Sequence, residues 1–310
     1  MRLIAAFLKM IRLPNLFFIA LTQALFQICI FQTYYQDRPG ITEDRHFIYL
    51  MIASVLIAAG GYIINDYFDI NIDEVNKPGK LVVDKLISRR WAIAWHFMLS
   101  STGIVFTVLA VPFVQKWYLI LANICCVLLL WFYSTNFKKQ LLIGNIVISL
   151  LTAWTILIIF FSKVTLNDAF GMTNYSYYKF FKVTFLYAGF AFIVSLIREA
   201  IKDMEDMPGD EKYGCRTMPI VWGINVTKVY VAVWLIVLLA VLFILQVYLL
   251  QFRWWIAVLY NIFFIIIPMI YIFIKLFKAG ATGDFHHLSS TIKWIMLTGI
   301  LSMTFFYFYQ

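Results

Sequence analysis

The sequence predicts an all-α, polytopic membrane bundle of about nine transmembrane helices with a cytoplasmic N-terminus. Three observations carry that reading. The 310 residues are 63% hydrophobic and 13% charged, whereas a soluble domain holds roughly 45–50% apolar and about 25% charged residues. No water-soluble fold of this length could bury so much apolar surface. Nine apolar runs approach the ~20 residues a helix needs to cross a hydrocarbon core. The basic residues are also unevenly shared between the segments that join those runs.

The runs fall at 14–36, 47–65, 92–114, 117–134, 141–162, 182–200, 226–250, 254–274 and 292–309. The first follows the basic start and continues to about Tyr35 without a small-residue cleavage site, too long for a signal segment, so it is expected to stay as the first span. Two irregular stretches, 66–91 and 201–225, hold most of the acidic residues. With the N-terminus inside, the inner segments carry Arg2, Lys9 and Arg12, then Lys77 to Arg90, Lys138 and Lys139, Arg198 to Lys228, and Lys275, Lys278 and Lys293. These are eighteen of the twenty-five Lys and Arg residues, the asymmetry of the positive-inside rule. Both acidic stretches then face the cytoplasm, one after the second span and one after the sixth. Residues 1–310 read as a single multi-pass domain of the cell inner membrane.

The net charge of +9 fits this bias and contact with anionic membrane lipid. Nucleic acid is not expected as a partner, because the charges lie between spans and form no stripe. Cys29, Cys125, Cys126 and Cys215 have no metal-type spacing and no disulfide framework; they read as buried apolar residues.

The first acidic motif, 65–80, begins Asn65-Asp66-Tyr67-Phe68-Asp69-Ile70-Asn71-Ile72-Asp73. If the second helix continues through it, Asn65, Asp69 and Asp73 drift by only about 80° over two steps of four residues and share one face, while Asp66 points about 100° away from Asn65. The motif grows directly out of an apolar span, where ionisable groups are costly and mark function. The second motif, 198–217, contains Arg198, Glu199, Lys202, Asp203, Glu205, Asp206 and Asp210. Bare carboxylates this close repel one another, and a cation relieves the cost. Only oxygen ligands are on offer, which fits Mg²⁺ or Mn²⁺ and not zinc. Mg²⁺ takes one or two carboxylates and completes its shell with water and substrate phosphate. Two such patches on one cavity could hold two ions around a diphosphate. The interleaved bases Lys77, Lys80, Arg198 and Lys202 suit phosphate oxygens.

Asn-x-x-x-Asp-x-x-x-Asp followed by Asn76-Lys77-Pro78, with a second aspartate motif late in the chain, resembles the UbiA-type intramembrane prenyltransferases. Arg12-Leu13-Pro14-Asn15 is similar to their N-terminal motif, and Tyr133, Lys138 and Asn145 to their fourth-to-fifth helix segment. The second motif, with Gly214-Cys215-Arg216-Thr217-Met218-Pro219, is especially similar to the digeranylgeranylglyceryl phosphate synthase branch. Two positions depart from the pattern: Lys80-Leu81 stands where Arg-Pro is frequent, and Leu13 replaces a common proline.

The resemblance implies Mg²⁺-assisted transfer of an isoprenyl group from a prenyl diphosphate to a lipophilic acceptor. It implies that Asp69, Asp73, Asp206 and Asp210 are catalytic. Asn65, Asp69 and Asp73 would serve one ion, and Asp206 and Asp210 the other, with Asp203 assisting. Lys77, Arg198, Lys202, Tyr133 and Lys138 would hold the diphosphate, and Tyr62, Tyr67, Tyr133 and Trp154 could shelter an allylic cation. A glycerol-phosphate lipid hydroxyl, an aromatic acid and a quinone precursor all stay open as acceptors. An ion-coupled transporter is the alternative class, but its acids belong near mid-bilayer in broken helices. His286 and His287 read as surface residues.

Overall fold

The computed structural model describes residues 2–34, 41–76, 81–165 and 175–309. Among the described residues nine helical spans are long and apolar enough to cross a membrane. A short surface helix α1 (Arg2–Met10) precedes α2 (Leu13–Leu25), which runs on through a π-helical turn, Phe26–Gln32. Then come α3 (Ile41–Phe68), α4 (Ile70–Asn76), α5 (Arg89–Ala110), α6 (Phe113–Thr135), α7 (Ile143–Lys163) and α8 (Tyr175–Lys212). The one-turn α9 (Met218–Val221) leads into α10 (Ile224–Gln251). The eighth span joins α11 (Trp255–Asn261), a second π-helical turn and α12 (Ile267–Lys278); α13 (Thr282–Leu301) and α14 (Phe305–Phe308) end the chain.

Both stretches expected to be irregular begin as helix. α3 and α4 carry helical structure to Asn76, and α8 runs to Lys212. The reason is an apolar face that persists beneath the acids. Ile70 and Ile72 are buried on α4, and Ile197, Ala200, Ile201 and Met204 keep a helical spacing into the core on α8. At 38 residues, α8 is about 57 Å long, well beyond a hydrocarbon core of about 30 Å. Its last turns therefore extend past the apolar layer and carry the second motif with them. Likewise Lys293 sits inside α13 and not in a loop.

Three apolar clusters hold the bundle together. One packs α8, α10, α12 and α13 through Ile197, Met204, Leu235, Met269, Ile272 and Leu288. A second packs Phe160 at a tilt on Phe180, with ring centroids 5.2 Å apart, against Phe26 of the π-helical turn. The third joins α1, α3, α4 and α5 around Met10, Ile63, Ile70 and Ala92. Buried polar groups are tied across helices. Gln23 donates to Ser54 Oγ at 3.0 Å and to the Thr155 carbonyl at 2.9 Å. Trp154 Nε1 donates to Asn123, which in turn donates to Thr107. In an apolar bundle such links set which helices are neighbours.

Helices α3 and α5 pack tightly along a seam lined by glycines. A Cβ on Gly60 would lie 2.6 Å from Ser100 Oγ, and one on Gly103 would lie 2.8 Å from Ile57 Cγ1 and 3.2 Å from the Ala53 carbonyl oxygen. Gly103→Val overpacks this seam at a cost of about 1–3 kcal/mol and is expected to lower the thermal unfolding temperature in detergent. Gly189→Ala, where a Cβ meets nothing within 4 Å, is the control. Equal melting of the two variants would show that the seam tolerates added bulk.

Candidate active site at the acidic end of the bundle

The break between α3 and α4 leaves the helical register intact. The Asp69 amide donates to the Asn65 carbonyl at 3.0 Å, and the Asp73 amide to the Asp69 carbonyl at 2.8 Å. The expected shared face of Asn65, Asp69 and Asp73 is thus present. Asn65 Nδ2 donates to Asp69 Oδ2 at 2.8 Å, and Asn65 Oδ1 is buried with no hydrogen-bond partner. Asp66 turns away and pairs with Arg12 at 2.7 Å. The Arg12 guanidinium also lies over the Tyr62 ring, 5.2 Å from its centroid.

Lys138 ion-pairs with Asp69. Burial is the largest influence on this lysine and lowers its pKa to about 7, with Lys139 acting in the same direction. The Asp69 carboxylate opposes that pull by favouring the ammonium form. On α8, Asn145 donates to Asp203 Oδ2 at 2.8 Å. Lys202 stands 3.8 Å from Asp206, and Arg198 pairs with Glu199. Asp210 lies in the last turns of α8, and its carbonyl accepts the Cys215 amide at 2.9 Å. The next residue, Arg216, donates its amide to the Lys139 carbonyl at 2.8 Å, joining the Lys138 loop to the second motif. Lys77 and Lys80 lie outside the described residues. His286 is on the surface as expected, bonded to Glu205 at 2.7 Å.

One side chain fastens the two motifs together. Pro208 interrupts the hydrogen-bond ladder of α8, and the Asn76 carboxamide bonds peptide groups on either side of it. Asn76 Nδ2 donates to the Asp206 carbonyl, and the Gly209 amide donates to Asn76 Oδ1, both at 2.8 Å. A Cβ on Gly209 would fall 2.6 Å from the Asn76 carboxamide atoms, so the contact requires glycine. In the sequence Asn76 is only the first residue of an Asn-Lys-Pro motif, with no role assigned to it by spacing. The available signal was an amide one turn beyond Asp73 and a Pro-Gly pair inside the second motif.

Beneath the motifs a cavity of about 410 Å³ runs through the bundle. Arg12, Asn65 and Lys202 line one end; Tyr187, Trp254 and Phe306 line the other. Tyr62, Tyr133 and Trp154 are on its wall. Tyr67 is not, and instead packs on Phe68 with centroids 5.0 Å apart. Among the described residues no three His, Cys, Asp or Glu side chains come together tightly enough to hold a metal by themselves. That is compatible with Mg²⁺, which takes few carboxylates and keeps its remaining positions for water and phosphate.

Residues 24–282 match the model of the UbiA prenyltransferase family. The chain belongs to this family. It is an integral membrane prenyltransferase. The digeranylgeranylglyceryl phosphate synthase of Sulfurisphaera tokodaii is 29% identical over 241 residues, 78% of each chain. That of Methanospirillum hungatei JF-1 is 34% identical over 188 residues, so the match spans 60% of either length. Among solved structures, one from work on digeranylgeranylglyceryl phosphate synthase in membranes superposes with a TM-score of 0.61 at 21% identity, over 98% of this chain and 99% of the other. A UbiA homologue from Archaeoglobus fulgidus bound to DMAPP and Mg²⁺ gives 0.56 at 14% identity, over 96% and 99%. What this prenyltransferase shares with those two structures is the fold.

Asn76→Ala and Gly209→Ala both open the tie between the motifs. Each is expected to cost about 1–3 kcal/mol through unpaired peptide groups and to slow transfer by on the order of 100-fold through misplaced ligands. Thermal unfolding and single-turnover product formation read the two effects. Natural rates in both variants would show that the motifs stay aligned without Asn76.

Proposed function

We propose that this prenyltransferase moves an isoprenyl group from a prenyl diphosphate to a lipophilic acceptor of the prenylglycerol phosphate kind. The observation that carries this reading is the arrangement of two aspartate motifs at one end of the bundle, tied by Asn76, above a long and mainly apolar cavity. The cavity suits an isoprenoid chain and the motifs suit its diphosphate. The matched relatives named as digeranylgeranylglyceryl phosphate synthases favour a glycerol-phosphate lipid over an aromatic acceptor. We place the reaction on the cytoplasmic side of the inner membrane, on the strength of the basic-residue asymmetry. Residues 1–310 act as one unit in this reading, because the cavity wall draws on helices from α2 to α14.

The residues present fit Mg²⁺. The Asn65 Oδ1 atom is a buried hard oxygen without a partner, and it shares a helix face with Asp69 and Asp73. Asn65, Asp69 and Asp73 would hold one ion, and Asp203, Asp206 and Asp210 the other. Bound there, Mg²⁺ would supply charge neutralisation for the departing diphosphate. Arg198 and Lys202 add positive charge beside the second motif, and Lys77 is assigned to the same task. Lys138 would be shared between Asp69 and the diphosphate, whose negative charge favours the ammonium form that burial disfavours. The apolar wall keeps water from capturing an allylic cation, and Tyr62, Tyr133 and Trp154 offer it aromatic faces.

The reading is tested with purified protein, a panel of labelled prenyl diphosphates and candidate acceptors, and mass spectrometry of the products. Turnover is expected to stop in EDTA and to return with Mg²⁺ or Mn²⁺. Asp69→Asn and Asp206→Asn should each slow transfer by on the order of 100- to 1,000-fold without loss of folding, judged by gel filtration. Asp66→Asn should be milder in rate, because its carboxylate serves Arg12. Full turnover in chelator, or natural rates in both aspartate variants, would overturn the assignment.

A further inference from the structure

The charges on the cavity wall differ in sign from those of the motifs above it. Arg12, Arg198, Lys202 and Lys293 line the cavity, and among the described residues Glu199 is the one carboxylate that does so. None of Asp69, Asp73, Asp203, Asp206 or Asp210 is on that wall. Three of the four cations have a carboxylate partner: Arg12 has Asp66, Arg198 has Glu199, and Lys202 has Asp206. Among the described residues Lys293 has none within ion-pair distance. Arg198 also keeps a buried Nε–H with no acceptor. Three of the charged groups that influence Lys293 most, Arg198, Lys202 and Arg12, are cations, and the fourth is Glu199.

Loop charge does not account for this lysine. Counting from Thr282 at the start of α13, Lys293 lies about 16 Å along the helix, three turns from the loop. It keeps an accessible side chain beside Met296, another wall residue. Trp294, 68% exposed, takes the outward face. A lysine on the wall of an intramembrane cavity, without an ion-pair partner, marks a functional site.

We propose that Lys293, together with Arg12 and the free N–H of Arg198, forms a second anion subsite that receives the phosphate monoester of a lipid acceptor, apart from the diphosphate at the acidic motifs. The inference rests on the prenyl-transfer reading and adds to it the side chains that hold the acceptor's phosphate. A phosphate monoester carries about −1.5 to −2 charge at neutral pH. It therefore neutralises Lys293 and still has oxygens for the Arg198 and Arg12 donors. The acceptor's hydrocarbon tail stays against the apolar wall. A neutral quinone precursor leaves Lys293 uncompensated. Lys293 acts as a specificity determinant here, and the bonds that change in the transfer do not involve it.

The test is binding of a prenylglycerol phosphate, and of the same lipid without its phosphate, to protein in nanodiscs containing EDTA. A non-hydrolysable prenyl thiodiphosphate is titrated separately with Mg²⁺. The natural chain is expected to bind the phosphorylated lipid about 10- to 100-fold more tightly than the dephosphorylated one, the range for bonds to charged groups. Lys293→Met should abolish most of that difference, Lys293→Arg should preserve it, and neither should alter affinity for the diphosphate analogue. If Lys293→Met fails to insert, Lys293→Gln set against Lys293→Arg makes the same comparison. Inorganic phosphate should compete only at concentrations far above those of the lipid; equal potency would assign the site to free phosphate and overturn the proposal. Equal binding of the two lipids by the natural chain, tighter binding of an aromatic carboxylate, or parallel loss of the diphosphate analogue in Lys293→Met would overturn it too. Failure of every form to bind the analogue would instead refute the prenyl-transfer reading, with the lipid titrations still reporting on the subsite.

Discussion

The acidic end of this protein depends on one carboxamide. Asn76 is 130 residues from the Asp206 carbonyl it bonds, and it reaches both sides of the proline that interrupts α8. Proline inside a helix removes a donor and crowds the preceding turn. In this chain the interruption becomes an attachment point, because Asn76 offers a donor and an acceptor from one rigid plane. The two halves of the polypeptide bring their aspartates together through that plane. The absent side chain at Gly209 is what allows it to approach.

Around the tie, carboxylates of similar chemistry are set apart by their partners. Asp66 serves Arg12, Asp69 serves Asn65 and Lys138, and Asp203 accepts from Asn145. These pairings offset the repulsion that so many neighbouring acids would otherwise impose. They also fix side-chain directions that the backbone alone would leave free. Buried ionic groups need such partners, since a carboxylate withdrawn from water without compensation is strongly disfavoured.

Much of this was legible in the sequence. The nine spans follow from composition, because an apolar run of that length has few other fates. The turn of Asp66 by about 100° from Asn65 follows from helical rotation alone, and its pairing with Arg12 agrees with it. The continuation of α8 through the second motif was less visible. Charge dominates that segment to the eye, while Ile201 and Met204 hold its buried face with only a few residues per turn. The Asn76 tie, the Lys138–Asp69 pair and the place of Lys293 on the cavity wall were not legible. Each depends on which helices meet, and partners 69 or 130 residues apart leave no local periodicity to read.

Arg12 adds a mechanical property to the chemical one. It adopts left-handed backbone dihedrals, φ 52° and ψ 54°, a conformation that costs a non-glycine residue roughly 1–2 kcal/mol. The ion pair with Asp66 and the stack on Tyr62 hold it there. The α1 helix beyond this corner has nine residues, too few to cross a bilayer, and exposes Leu3, Ile4 and Leu8. It suits the plane of the membrane surface, where an amphipathic helix floats with its apolar side in the lipid. Because the corner is braced by Asp66 and Tyr62, the turn from α1 into the bundle and one aromatic ring of the cavity wall are built around a single side chain.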